Sequence, residues 1–112
     1  MASLETLAEL ARTIEARKAS TADASYTKSL LESGPNRCAK KFGEEAVEFA
    51  LAVANQSNAD VTSEAADVLY HLLVALAARD IALNDVIAEL EQRSRQSGHA
   101  EKASRTADTA GR

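Results

Sequence analysis

Apolar residues recur along this chain at the three- and four-residue spacing of amphipathic α-helices, and no stretch alternates as a β-strand does. The first pattern joins Leu4, Leu7 and Ile14 and predicts a helix over residues 4–18, with Ser3 as its candidate N-cap. After a small polar loop, a short helix is predicted to begin near Ser25.

Two longer apolar patterns occupy the centre of the chain. Pro35 suits the first turn of a helix that ends near Ala54. A short polar turn follows, in which Asp60 or Asn58 is the candidate N-cap of a second helix over residues 61–79. Because the connection is so short, the two helices are predicted to pack as an antiparallel hairpin.

The last apolar pattern runs from Leu83 to about Arg95 and predicts one more helix. From Gln96 onward the sequence has no large apolar residue, which predicts a disordered tail over residues 96–112. The fold class is therefore all-α. One domain over residues 1–95 is expected, a bundle of four to five helices built around the central hairpin.

Composition and charge narrow the functional classes. A chain of 112 residues is long enough for one domain with a core, and its net charge of −4 argues against nucleic-acid binding by bulk attraction. Cys38 is the only cysteine, which excludes an internal disulfide or a zinc site made of several cysteines. The N-terminus lacks the apolar core of a signal peptide, and no membrane-spanning segment is expected. These features indicate a cytoplasmic protein.

The helices of the hairpin each carry a stripe of carboxylates on an otherwise apolar surface. Glu44, Glu45 and Glu48 share one stripe, and Glu64 and Asp67 form another at a spacing of three. Antiparallel packing places the two stripes at about the same height along the hairpin. Since so many like charges would repel, a hard divalent cation is expected between them, Mg²⁺ or alternatively Mn²⁺.

Mg²⁺ often shares its coordination sphere with phosphates, so a phosphorylated ligand is expected at this site. Lys40, Lys41 and Arg37 lie one to two turns from the acids and are candidates to neutralise phosphate charge. Other interpretations stay open, because acidic helix faces are often simply solvated. Taken alone, His71 suits a hydrogen-bonded core histidine, and Tyr26 suits either a half-buried aromatic or a side chain that stacks on a base.

The second hairpin helix is apolar around most of its circumference, a pattern typical of a helix that is covered on more than one side. A small bundle has few central positions, so a second copy of the chain is predicted to cover part of it. A homodimer is expected, and whether dimers associate further stays open.

The same residues resemble the signature of the all-α nucleotide pyrophosphohydrolases of the MazG type and, within them, the phosphoribosyl-ATP pyrophosphatase family. The resemblance extends over about residues 4–95. The matching segments are Ser25-Tyr26-Thr27 with Leu30, Gly34, Lys40-Lys41-x-Gly43-Glu44-Glu45-Ala46-x-Glu48, Glu64-x-Ala66-Asp67-x-Leu69-Tyr70-His71-Leu72, and Asp85-Val86.

This resemblance implies a MazG-like dimer that hydrolyses phosphoribosyl-ATP to phosphoribosyl-AMP and pyrophosphate with Mg²⁺, the second step of histidine biosynthesis. Among the acids, it implies that some ligate the metal and some activate water. The implied metal ligands are Glu44, Glu45, Glu48, Glu64 and Asp67, of which Glu45, Glu48, Glu64 and Asp67 are also the catalytic candidates. The implied substrate-binding residues are Lys40, Lys41, Arg37, Ser25, Tyr26, Thr27 and His71.

Two other functions remain possible on the sequence. The same fold could serve a house-cleaning pyrophosphatase that acts on ordinary or damaged nucleoside triphosphates, because the acids alone do not distinguish these substrates. Alternatively, the chain could be a non-catalytic helical dimerisation module whose acids only keep an open face soluble.

Overall fold

The computed structural model describes residues 2–21 and 25–107, and it describes side chains as far as residue 96. Within these ranges the chain is all-α, as predicted, with no strand. The five helices are α1 (Glu5–Arg17), α2 (Tyr26–Glu32), α3 (Pro35–Asn55), α4 (Asn58–Ala78) and α5 (Leu83–Ala107).

Short polar residues and one glycine set the helix starts. The Ser25 hydroxyl accepts a hydrogen bond from the Lys28 backbone N–H at 3.2 Å and caps α2. Pro35 occupies the first turn of α3, directly after Gly34. The φ angle of Gly34 is 89°, a conformation that side chains rarely adopt, so this turn requires glycine.

The start of α4 differs from the sequence prediction. Its N-cap is Ser57, whose hydroxyl accepts from the Asp60 backbone N–H at 3.2 Å, so neither Asn58 nor Asp60 is the cap. Ser57, Asn58 and Asp60 are all suitable N-caps, and the extended backbone of Ser57 (φ −72°, ψ 160°) decides among them. The helix therefore begins one turn earlier than predicted.

Helices α3 and α4 pack against each other as the predicted hairpin, and α1 and α2 also contact α4. The core consists of side chains from all four helices, with the largest share from α4, because α4 is apolar around most of its surface. The buried apolar residues are Ile14, Leu30, Cys38, Ala52, Leu73, Val74 and Ala77.

A lysine pair joins the ends of α1, α2 and α4. The Lys18 ammonium lies 2.7 Å from the Asp80 carboxylate, and the Lys28 ammonium donates to the Lys18 carbonyl at 2.5 Å. The hydrogen bond with Asp80 raises the pKa of Lys18, and that same bond lowers the pKa of Asp80. Asp80 has a φ angle of 57°, which allows the chain to leave α4 abruptly.

Contrary to our expectation, α4 is long and apolar enough to cross a membrane when judged by length and composition alone. The core helix of a soluble protein can meet the same criterion. Here α4 packs against three other helices and carries Glu64 and Asp67 within its length. The most apolar window of α4 is 22% buried within the described part of the chain. Its packing and its two acids identify α4 as a helix of the bundle.

Contacts between residues divide the chain into two compact units, Met1–Ile81 and Ala82–Arg112. The second unit contains α5, which continues to Ala107. Residues 96–107 of the predicted tail thus lie in a helix, while residues 108–112 lie outside the described part. The absence of large apolar residues does not prevent a helix, because Ala, Glu, Lys and Arg have high intrinsic helix propensity.

Candidate metal centre

Three carboxylates meet on facing surfaces of the hairpin. Glu45 and Glu48 are three residues apart on α3, so they lie on one face of that helix, and Glu64 faces them from the second turn of α4. One oxygen from each of the three side chains lies within 4.8 Å of the others. The predicted convergence of acids across the hairpin is thus confirmed for these three residues, which we call the carboxylate cluster.

Glu64 is the member of the carboxylate cluster with a buried oxygen that lacks a hydrogen-bond partner among the described residues. This oxygen is Oε1, and it is shielded from solvent. Burial raises the pKa of the Glu64 carboxyl. The charges of four acids raise it further, in the order Glu48, Asp67, Glu45 and Asp60. A buried, unpartnered oxygen next to other negative charges is unfavourable for the chain by itself.

The other two predicted ligands lie outside the carboxylate cluster. Asp67 is exposed one turn beyond Glu64 on α4, close enough for its charge to raise the pKa of Glu64. Glu44 is also exposed, and one of its oxygens lies 3.5 Å from the Lys41 ammonium. The structure therefore separates the five predicted acids into an inner group of three and two flanking residues.

The predicted phosphate-binding cations all lie on α3, before the acids. Arg37 and Lys40 are exposed, whereas Lys41 is partly buried and paired with Glu44. An ion pair of 3.5 Å between partly solvated groups is weak, so the Lys41 ammonium can exchange this carboxylate for another anion.

The Ser25-Tyr26-Thr27 segment opens α2. Ser25 uses its hydroxyl to cap the helix, which is a structural task. Tyr26 is 57% exposed, more than a half-buried aromatic. The Thr27 hydroxyl is hydrogen-bonded to the Tyr70 hydroxyl on α4. Sequence reasoning missed this contact, because no periodicity or spacing signals an interaction between residues 43 positions apart.

His71 is buried, with 7% of its surface exposed, as expected for a core histidine. The expected hydrogen bond is not seen at Nδ1, which has no partner among the described residues. The His71 ring lies edge-on to the Tyr70 ring, with 4.9 Å between ring centroids. His71 therefore contacts the Tyr70 ring from within the core.

The carboxylate cluster fits a hard divalent cation. Carboxylate oxygens are the ligands that Mg²⁺ and Mn²⁺ prefer, and the three oxygens are close enough for one ion to contact them all. A cation there would give the buried Glu64 oxygen the partner it lacks in the chain itself. Glu48 is exposed, so the cluster is also open to solvent on one side.

An all-α hairpin with facing carboxylates fits the class of MazG-type nucleotide pyrophosphohydrolases, as the resemblance in the sequence implies. Residues 7–94 match the family model described as phosphoribosyl-ATP pyrophosphohydrolase. The chain belongs to this family. The match includes all of the carboxylate cluster and all of α2, α3 and α4.

Similar proteins have the name phosphoribosyl-ATP pyrophosphatase. The protein of Dinoroseobacter shibae is 58% identical over 102 residues, which are 91% of this chain and 100% of that protein. Its counterpart in Ruegeria pomeroyi is 58% identical over 99 residues, 88% of this chain and 94% of that protein. The Azorhizobium caulinodans protein is 57% identical over 100 residues, 89% of this chain and 92% of that protein.

Proposed function

We propose that this chain hydrolyses phosphoribosyl-ATP to phosphoribosyl-AMP and pyrophosphate, the second step of histidine biosynthesis, with Mg²⁺ as its metal. The family and the name shared by the similar proteins support the reaction and the substrate. The observation that carries the metal is the carboxylate cluster, in which a shielded Glu64 oxygen has no partner within the described chain.

Glu45, Glu48 and Glu64 would hold the cation, with Asp67 and Glu44 flanking them. When bound, the cation supplies charge neutralisation for the phosphate oxygens and lowers the pKa of coordinated water. A carboxylate of the set accepts the proton of the attacking water, and the candidates for this base are Glu45, Glu48, Glu64 and Asp67.

The substrate carries several negative charges, and the basic residues of α3 complement them. We propose that Lys40 and Lys41, with Arg37, neutralise charge that develops on the leaving pyrophosphate. Lys41 can leave Glu44 for a phosphate oxygen, since their pairing is weak. In the Ser25-Tyr26-Thr27 segment, the exposed ring of Tyr26 is the group most available to the nucleotide.

We further propose a cytoplasmic homodimer. Three apolar side chains of α3 are more than half exposed, and Leu69 of α4 is 43% exposed. Exposed apolar surface of this kind on a small bundle is typical of an interface between subunits. The exposed α3 residues are Val47, Leu51 and Val53.

The decisive experiment measures pyrophosphate release from phosphoribosyl-ATP and from a panel of nucleoside triphosphates, with and without Mg²⁺. We expect rapid, Mg²⁺-dependent release from phosphoribosyl-ATP and little from the others. Equal turnover of deoxynucleoside triphosphates would instead indicate a house-cleaning pyrophosphatase.

A binding measurement tests the metal independently of turnover. We expect millimolar Mg²⁺ to raise the melting temperature of the wild-type chain, because the cation binds only the folded cluster. The shift should be lost in Glu64→Gln. An unchanged melting temperature, together with no hydrolysis, would favour a non-catalytic dimerisation module.

A further inference from the structure

We infer that Tyr70 is a positioning residue, which holds the first turn of α2 in place for substrate binding through its hydrogen bond to Thr27. This inference rests on the proposed function and extends it to a residue outside the set of acids and basic side chains. Tyr70 lies three residues after Asp67 on α4, so its hydroxyl connects α2 to the helix that carries Glu64.

The hydrogen bond between the Thr27 and Tyr70 hydroxyls joins α2 to α4 through side chains in the described part of the chain. It is partly buried, and the two residues are 43 positions apart, so it links segments that chain connectivity alone does not hold together. Because α2 has only seven residues, its orientation depends on contacts of this kind more than on its own hydrogen bonds.

The ring of Tyr70 is itself held in place. The buried His71 packs edge-on against it at 4.9 Å, which limits the directions in which the phenol can point. Thr27, whose hydroxyl makes the hydrogen bond to Tyr70, directly follows Tyr26 in the chain, and Tyr26 is the exposed aromatic residue of the segment. Fixing Thr27 therefore fixes the backbone from which the Tyr26 ring projects.

Tyr70→Phe is the direct test, because it removes the hydroxyl and keeps the ring that contacts His71. We expect the KM for phosphoribosyl-ATP to rise about 5- to 10-fold, the size of one neutral hydrogen bond, with kcat changed less than twofold. The Mg²⁺ concentration that gives half-maximal activity should stay within about twofold of the wild-type value, because no metal ligand is altered.

A second variant distinguishes positioning from direct substrate contact. If Thr27 acts through Tyr70, then Thr27→Val should raise the KM as Tyr70→Phe does, and the double variant should be no worse than either single one. Ser29→Ala, at an exposed position of the same helix, is the matched control and should leave the KM at the wild-type value. Additive increases in KM in the double variant would overturn the inference, since they would mean that Thr27 contacts the substrate independently.

A purely structural role gives a different result. If Tyr70→Phe lowers the melting temperature but leaves the KM for phosphoribosyl-ATP unchanged, the inference is wrong, even though the proposed function stands. If the wild-type chain does not hydrolyse phosphoribosyl-ATP with Mg²⁺, the proposed function itself fails. The two failures are thus separated by the wild-type measurement.

Discussion

At the scale of single residues, Glu64 shows how a site can be unfavourable for the fold that carries it. Its Oε1 is shielded and unpartnered, and four neighbouring carboxylates raise its pKa in addition to burial. The folded chain therefore binds a proton at Glu64 more readily than the unfolded chain does. A group of this kind makes the metal-free protein less stable whenever it is ionised.

The pH dependence of stability should reveal this effect. Because the folded-state pKa of Glu64 is raised above its ordinary value of 4.5, the metal-free protein should lose stability as pH rises through that raised pKa. Glu64→Gln should have a higher melting temperature in this range and a flatter profile. Melting curves in a chelator between pH 4 and 8, roughly the range over which carboxyls with raised pKa values titrate, provide the measurement. Identical profiles for the two proteins would contradict the prediction.

Removing one charge from the exposed side of the carboxylate cluster should separate activity from folding. We expect Glu48→Gln to reduce hydrolysis of phosphoribosyl-ATP by at least about 100-fold, while the circular dichroism spectrum stays that of a helical protein. Glu9→Gln, on the exposed surface of α1, is the matched control and should retain full activity. Wild-type activity in Glu48→Gln would remove this residue from the proposed metal site.

At the scale of helices, the sequence predicted the elements well and their ends less well. Helical spacing and Pro35 were enough for α1 to α4, because amphipathic patterns report directly on which face is buried. The start of α4 was misplaced, since Ser57, Asn58 and Asp60 are all suitable caps and only backbone geometry selects one. The end of α5 was misplaced because the apolar pattern indicates only helices that pack against other elements. Residues 96–107 lack such a pattern, but several of them have high helix propensity.

The cap of α4 can be checked by mutation. Ser57→Ala should lower the free energy of unfolding by about 1 kcal/mol, because the Asp60 N–H loses its acceptor. Urea denaturation monitored by circular dichroism measures this loss. Asn58→Ala is the control and should change the free energy of unfolding by no more than about 0.5 kcal/mol, as exposed positions do. A larger loss in the control than in Ser57→Ala would return the cap to the position predicted from sequence.

The candidate site was partly predictable for a related reason. Carboxylates at spacings of three residues on two helices joined by a short turn must come close, and Glu45, Glu48 and Glu64 do. The contact between Thr27 and Tyr70 was not predictable, because it depends on how α2 docks onto the hairpin. The partner of Lys18 is of the same kind, since Asp80 is 62 residues away.

At the scale of the whole molecule, the single chain leaves large apolar side chains of α3 exposed to solvent. Val47 and Leu51 are one turn apart on α3 and are 59% and 60% exposed. Each Å² of apolar surface removed from water contributes about 25 cal/mol of favourable free energy. Covering these side chains with a second copy of the chain would therefore stabilise a dimer. This is the physical basis of the proposed dimer.

The dimer is tested by placing a charge on this surface. Leu51→Arg should shift the chain from dimer to monomer in light scattering coupled to size exclusion, because an arginine at an apolar interface lacks a partner. Leu4→Arg is the control, since Leu4 is 90% exposed and is the N-cap residue of α1, outside α3. A wild-type monomer, or a Leu51→Arg dimer, would refute the proposed interface.

The hydrogen bond from the Lys28 ammonium to the Lys18 carbonyl affects how well the segment between α1 and α2 tolerates insertions. It holds the end of α1 and the start of α2 together, so the ends of the segment between them are fixed by a contact outside the segment. Loop-closure entropy grows slowly, by only about 0.6 kcal/mol for each doubling of length. Insertions between Ala19 and Ser25 should therefore be accepted with little loss of stability, which makes this segment a suitable place for a fluorescent label or an affinity tag.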